Sequence, residues 1–230
     1  RKGQKFTAIR RRGKYLVFDV ADGHTMLLHL RMSGRLHLVS TSVPRNKHEH
    51  VIFSFDDGRQ LRFHDTRKFG RLHLLKDPNR ILDRLGPEPL ASGFTAKTLA
   101  EGLKHRKRLL KPLLLDQTFI AGLGNIYVDE ALWEAKLHPC RLAASLSTAE
   151  IKVLHRTIRR VLKRGLKNLG TTLGTGKGNF YSVANRRGRN KDLLRVFRRT
   201  DLPCTRCKSP IERIIVGQRS THICGKCQKL

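Results

Sequence analysis

The sequence predicts an α+β protein with an antiparallel β region first, a helical region after it, and a metal-binding module at the C-terminal end. Residues 5 to 75 alternate apolar and polar positions with a period of two, as half-buried strands do. From about Thr95 the apolar positions recur at helical spacing instead. Four of the five cysteines fall between residues 204 and 227, in two pairs.

The β region reads as seven short strands: KFTAIR, KYLVFDV, HTMLLHL, RLHLV, HVIFSF, QLRFH and GRLHLL. Ala21-Asp22-Gly23 and Asp56-Asp57-Gly58 supply turn chemistry between them. Leu85-Gly86-Pro87-Glu88-Pro89 ends the region, because two prolines cannot donate ladder hydrogen bonds. Helices are expected at about 95–106 and 108–115 and from Asn125 to Ala135, the last opened by Ala121-Gly122-Leu123-Gly124. The bare N–H groups and dipole at such a helix start suit a phosphate, although a Gly-Asn turn into a helix is more often just a cap. Ser147-Thr148-Ala149-Glu150 fits a capping box at the start of a further helix.

On that helix Ile151, Leu154, Ile158, Val161, Leu162, Leu166 and Leu169 share one side. The other side carries Lys152, Arg156, Arg159, Arg160, Lys163, Arg164 and Lys167, and no Asp or Glu occurs from Ile151 through Lys191 to neutralise them locally. Residues 170–191 are rich in Gly, Asn and Arg and read as a loop.

Forty-eight Lys plus Arg against 18 Asp plus Glu leave a net charge of +30 in 230 residues, which points to a polyanion, nucleic acid foremost. No apolar run approaches the roughly 18 residues of a membrane span, and the first residues are basic rather than signal-like. A soluble, cytoplasmic protein without a membrane partner is expected.

Cys204-x2-Cys207 and Cys224-x2-Cys227, sixteen residues apart, have the spacing of a four-thiolate zinc site folded as a hairpin. With all four ligands from the protein no open position remains, so the metal is expected to be structural. His222 is an awkwardly spaced competitor, and Cys140 reads as a packed thiol.

Taken in order, RRRGKYL, HLRMSG, KHEHV, DTRKFG, LGPEPL, LLKPLLLDQTFIAGLGNIYVDEALWEAKLHP, GTTL and GQRSTHIC closely resemble the formamidopyrimidine-DNA glycosylase family over nearly the whole chain. The resemblance implies a β-sandwich over 1–85, truncated at its N-terminus, a helix-two-turn-helix domain with a lesion loop over 95–195, and a zinc finger over 196–230 that together clamp damaged double-stranded DNA. It further implies a monomeric, nucleoid-associated enzyme of base-excision repair that excises oxidised purines and then cleaves the strand at the abasic site. By position, Lys14 resembles the lysine that contacts phosphate and assists elimination, and Arg219 the arginine of δ-elimination. His48, Arg106 and Asn125 match DNA-binding positions, Met32, Arg67 and Phe69 the groups that fill the gap left by an extruded nucleotide, and Lys111 a lysine near the lesion.

The family nucleophile is the proline amine of a Pro-Glu start, whereas this sequence begins at Arg1. The 230 residues as written are therefore expected not to excise bases by themselves. Alternatives at this level are an inert damage-binding relative, an endonuclease VIII-type glycosylase for oxidised pyrimidines, and a zinc-ribbon RNA-binding protein.

Overall fold

The computed structural model describes residues 3–173, 183 and 186–230. The chain folds as two compact units, one of residues 1–82 with 165–192, the other of residues 83–164 with 193–230.

The first unit is built from seven strands: β1 Phe6–Arg12, β2 Tyr15–Val20, β3 Thr25–His29, β4 Arg35–Ser40, β5 Glu49–Ser54, β6 Arg59–His64 and β7 Arg71–Leu75. All seven predicted strands are present. They form two antiparallel sheets, ordered β1-β2-β3-β7 and β4-β6-β5. Phe18, Met26 and Leu28 of the first sheet share one core with Leu36, Leu61 and Phe63 of the second, which makes the unit a sandwich. Arg62 is buried within β6, where it meets Glu49 at 3.1 Å and the Val43 and Pro44 carbonyls at 2.7 and 3.2 Å. A single helical turn, α1 (Asn79–Leu82), was not expected. Its local signal was Asp77, whose carboxylate accepts from Asn79 N–H at 3.1 Å.

The second unit contains α2 (Ala96–Leu103), α3 (Leu110–Leu115), α4 (Asn125–Ala135) and most of α5 (Thr148–Lys167), followed by a hairpin of β8 (Glu212–Val216) and β9 (Arg219–Ile223). α2 and α3 are each shorter than the expected 95–106 and 108–115, because the chain turns between Leu103 and Leu110. Leu103, Leu110, Leu114, Leu123, Val128, Leu154 and Ile158 belong to one buried core. The Ser147 capping box forms as expected, with Glu150 N–H to Ser147 Oγ at 3.3 Å and Ser147 N–H to Glu150 Oε2 at 2.8 Å. No helix among the described residues is long and apolar enough to cross a membrane.

Two readings of α5 are corrected. Its apolar stripe ends early, since Leu166 and Leu169 are exposed. Its basic face is engaged in part by residues distant in sequence: Arg160 and Arg164 are neutralised by Glu134 at 3.4 and 2.7 Å, and Arg159 donates to the Pro89 carbonyl at 2.6 Å. Lys152, Arg156, Lys163 and Lys167 stay exposed.

Of the expected 170–191 loop, only the base is described. Gly188 N–H donates to Thr172 Oγ1 at 2.8 Å, and Asn190 joins Gly170 and Thr171 at 3.0 Å each. Gly174, Gly176, Gly178, Asn179 and Asn185 lie outside the described residues.

Candidate nucleic-acid interface

In the sandwich unit, Met32 sits on the turn between β3 and β4, and Arg67 and Phe69 on the loop between β6 and β7. Met32 is 65% and Phe69 51% exposed, which is unusual for large apolar side chains held on short, tightly bonded loops. The Arg67 guanidinium lies 5.4 Å from the centre of the Phe69 ring, in cation–π range. Both loops close over Phe63, and the glycines of HLRMSG and DTRKFG permit it. A Cβ at Gly34 would come within 2.9 Å of the Phe63 ring and nearer still to the Leu30 carbonyl, and one at Gly70 would collide with the same ring.

Lys14 occupies the two-residue turn from β1 to β2, beside Gly13 at φ 56°. Its charge acts on His29, whose pKa falls to about 4 through burial first and then the nearby Arg31 and Lys14. His29 is thus neutral at pH 7, and its Nδ1 accepts from Arg31 N–H at 3.0 Å. His48 packs edge-on against His64, ring centres 5.6 Å apart.

The second unit presents a different arrangement. Asp116 Oδ1 accepts from Thr118 at 3.0 and 2.7 Å, and Gln117 spans the two turns between α3 and α4 by bonding Leu115 O, Leu123 O and Gly122 N–H at 2.8 to 3.0 Å. The turns deliver Gly124 as N-cap of α4, so no side chain covers the first N–H groups of the helix. Asn125 donates to the Ser220 carbonyl of β9 at 2.9 Å, which ties the start of α4 to the strand that begins with Arg219. Gly217 and Gln218, at φ 55° and 61°, form the tight hairpin turn that precedes Arg219. Arg219 and Arg106 are both exposed.

The family resemblance places Lys111 near the lesion. It is fully buried, and its ammonium is already held by Asp129 Oδ1 at 2.6 Å, Thr221 Oγ1 at 2.8 Å and the Ser220 carbonyl at 3.1 Å. With three protons and three acceptors it has none left for a phosphate. Burial lowers its pKa and Asp129 partly restores it. The same carboxylate accepts from the His222 backbone N–H at 3.0 Å and lies 3.4 Å from its ring Nδ1, and the cluster able to hold a metal among the described residues is the four cysteines without His222.

Cys204, Cys207, Cys224 and Cys227 bring their sulfurs within 4.8 Å of one another, with Cys204 to Cys227 at 4.0 Å and Cys207 to Cys224 at 3.3 Å. Zn–S bonds of about 2.3 Å place the sulfurs of a tetrahedral site about 3.8 Å apart, so the four cysteines fit one zinc ion. Cys204 and Cys224 are buried with Trp133, Val196 and Ile211, which links the site to the end of α4. Cys140 is a free, half-buried thiol.

Residues missed in the sequence stand behind those it suggested. Asp65, Gln117 and Asp129 hold these groups in place, and each lies inside a motif the sequence singles out, Asp65 in DTRKFG and the other two in LLKPLLLDQTFIAGLGNIYVDEALWEAKLHP.

A sandwich bearing exposed Met32 and Phe69 with an arginine, and a helix start tied to a four-cysteine hairpin, have the features of a nucleic-acid-binding protein with a zinc finger. Comparison with known proteins specifies which. The Formamidopyrimidine-DNA glycosylase N-terminal domain matches residues 1–72, the Formamidopyrimidine-DNA glycosylase H2TH domain residues 85–177, and the zinc finger found in FPG and IleRS residues 201–230. The chain is 50% identical over 228 residues to the formamidopyrimidine-DNA glycosylase of Protochlamydia amoebophila, covering 99% of this chain and 83% of the relative. The enzyme of Herpetosiphon aurantiacus is 46% identical, with 96% and 80% covered. Among solved structures, a Lactococcus lactis FPG mutant in complex with Fapy-dG containing DNA superimposes with a TM-score of 0.91 at 38% identity, covering 99% and 83% of the two chains. The same organism's enzyme with abasic-site DNA gives the same values, and its complex with oxidized pyrimidine containing DNA a TM-score of 0.89. The chain belongs to the formamidopyrimidine-DNA glycosylase family.

Proposed function

We propose that the protein binds duplex DNA at an oxidised purine, such as 8-oxoguanine or a formamidopyrimidine, extrudes the damaged nucleotide, and acts as a glycosylase and abasic-site lyase of base-excision repair. The observation that carries this reading is the exposed Met32 and Phe69 pair with Arg67 stacked beside it. Extruding a base costs a few kcal/mol of stacking. Burying two such side chains recovers about 1.5–3 kcal/mol each, enough to offset it. Arg67 supplies the hydrogen-bond donors that face the orphaned base.

Asn125, the α4 N-terminus and Arg219 grip a phosphate, with His48 and Arg106 as further backbone contacts. Lys14 contacts phosphate and assists elimination, and Arg219 assists the second elimination. Lys111 acts through Asp129 and β9 rather than by touching DNA. The functional divisions are 1–85, 95–195 and 196–230. One zinc ion bound by Cys204, Cys207, Cys224 and Cys227 holds the hairpin that carries Arg219. The family resemblance assigns the attack on the sugar to the proline amine of a Pro-Glu start, and the residues named above supply binding, positioning and elimination. We place the protein in the cytoplasm, at the nucleoid, as a monomer.

The test is borohydride trapping on an 8-oxoguanine duplex with these residues carried behind a Pro-Glu start. A trapped adduct and a cleaved strand are expected. Tight lesion binding with no adduct would favour an inert damage-binding protein.

A further inference from the structure

Asp65 has no exposed surface, yet it bonds to the Met32 loop, to the Arg67–Phe69 loop and to the His48 segment of the sandwich unit. Its Oδ1 accepts from Ser33 Oγ, beside Met32, and from Arg67 N–H at 3.2 Å. Its Oδ2 accepts from Gly70 N–H at 2.7 Å, just after Phe69. Its backbone N–H donates to the His48 carbonyl at 2.9 Å, and its carbonyl accepts from His50 Nε2 at 2.8 Å.

We infer that Asp65 is the positioning residue of the intercalating wedge, holding the Met32 loop and the Arg67–Phe69 loop in one fixed arrangement before DNA arrives. The inference rests on the wedge reading proposed above. Its physical basis is that this carboxylate is met by short, directional donors from two different loops. Such bonds are satisfied in one geometry only, and a buried oxygen left without its donor is costly. The two loops therefore cannot move apart without taking the Ser33 donor from Oδ1 and leaving that buried oxygen with Arg67 N–H alone. Preformed loops spare the complex the cost of ordering them on binding, which tightens the lesion complex specifically.

Asparagine is the informative replacement because it keeps the shape and changes only the donor pattern. With its amide nitrogen at the Oδ1 position it opposes Arg67 N–H. With the nitrogen at the Oδ2 position it opposes Gly70 N–H. Ser33 can reverse its hydroxyl, but a backbone N–H cannot, so the Arg67–Phe69 loop loses one of its two backbone tethers in either orientation.

The test uses the zinc-loaded chain and two duplexes, one undamaged and one with a tetrahydrofuran abasic analogue opposite 2-aminopurine, whose emission reports stacking of the orphaned base. Phe69→Ala serves as the benchmark for losing the wedge. Asp65→Asn is expected to weaken binding to the tetrahydrofuran duplex about tenfold and to remove most of the emission change, with undamaged-duplex affinity altered less than about twofold. Ser33→Ala, which cuts one tether and leaves the carboxylate in place, should fall between Asp65→Asn and the unsubstituted chain, and it decides the matter if Asp65→Asn does not fold. If Phe69→Ala loses lesion preference while Asp65→Asn and Ser33→Ala keep it, the positioning role is overturned and the wedge survives. An equal loss on both duplexes with a lowered melting temperature would make Asp65 merely structural and also overturn it. If Phe69→Ala changes nothing, the wedge reading itself fails and the inference with it.

Discussion

Replacing Lys111 by methionine distinguishes a buried strut from a DNA contact. The substitution removes hydrogen bonds to Asp129, Thr221 and Ser220 and leaves Asp129 charged at zero exposure. Removing one partner of a buried ion pair costs about 3–5 kcal/mol. At about 2–4 °C of melting temperature per kcal/mol for a chain of this size, the expected fall is roughly 6–20 °C. Lys111→Met with Asp129→Leu should recover part of it, since no charge is then stranded, although His222 N–H loses its acceptor at a cost of about 1–3 kcal/mol. The assay is thermal unfolding beside the salt dependence of DNA binding. A lysine on a phosphate contributes about 0.9 to the slope of log affinity against log salt. A Lys111→Met chain that melts normally yet binds with a slope shallower by about 0.9 would refute the buried-strut assignment.

Zinc removal by a strong chelator, or Cys207→Ser, should shift the fluorescence of Trp133, the single tryptophan, because it packs in one cluster with Cys204 and Cys224. DNA affinity should fall with it while the sandwich keeps its own unfolding transition, as circular dichroism would record. Asn125→Ala should weaken binding to lesion and intact duplex alike, whereas Arg67→Ala should chiefly erode the preference for one opposing base. Competition binding with all four opposing bases separates the two, and equal losses of preference would contradict the assignments. His29 has a folded pKa near 4 against an ordinary 6.5, so the unfolded chain takes up its proton first as pH falls. The resulting contribution to stability is complete above about pH 6.5 and is lost progressively toward pH 4. His29→Asn should flatten that part of the urea-midpoint profile.

The period-two strands, the Ser147 capping box, the Gly124 helix start and the paired cysteines were all legible in the amino-acid sequence. Each is a local device: a side-chain alternation, a cap three residues from its partner, two thiolates on one turn. Covalent geometry converts such short-range patterns into structure directly, so the α+β order and the zinc site could be read before any fold was seen. What they could not show is how the charges are used. Arg164 finds Glu134 thirty positions away, Ser33 finds Asp65 across thirty-two, and Lys111 finds Thr221 across one hundred and ten. Nothing in the spacing of these residues marks them as partners. A lysine in a helical stretch of a chain with a net charge of +30 reads as one more DNA contact, and only the packing of α4 against β9 turns it into a buried brace. Tertiary structure decided which charged groups face the ligand and which hold those that do, because desolvation, and with it the strength of an ion pair or hydrogen bond, is set by what surrounds a group in space rather than along the chain.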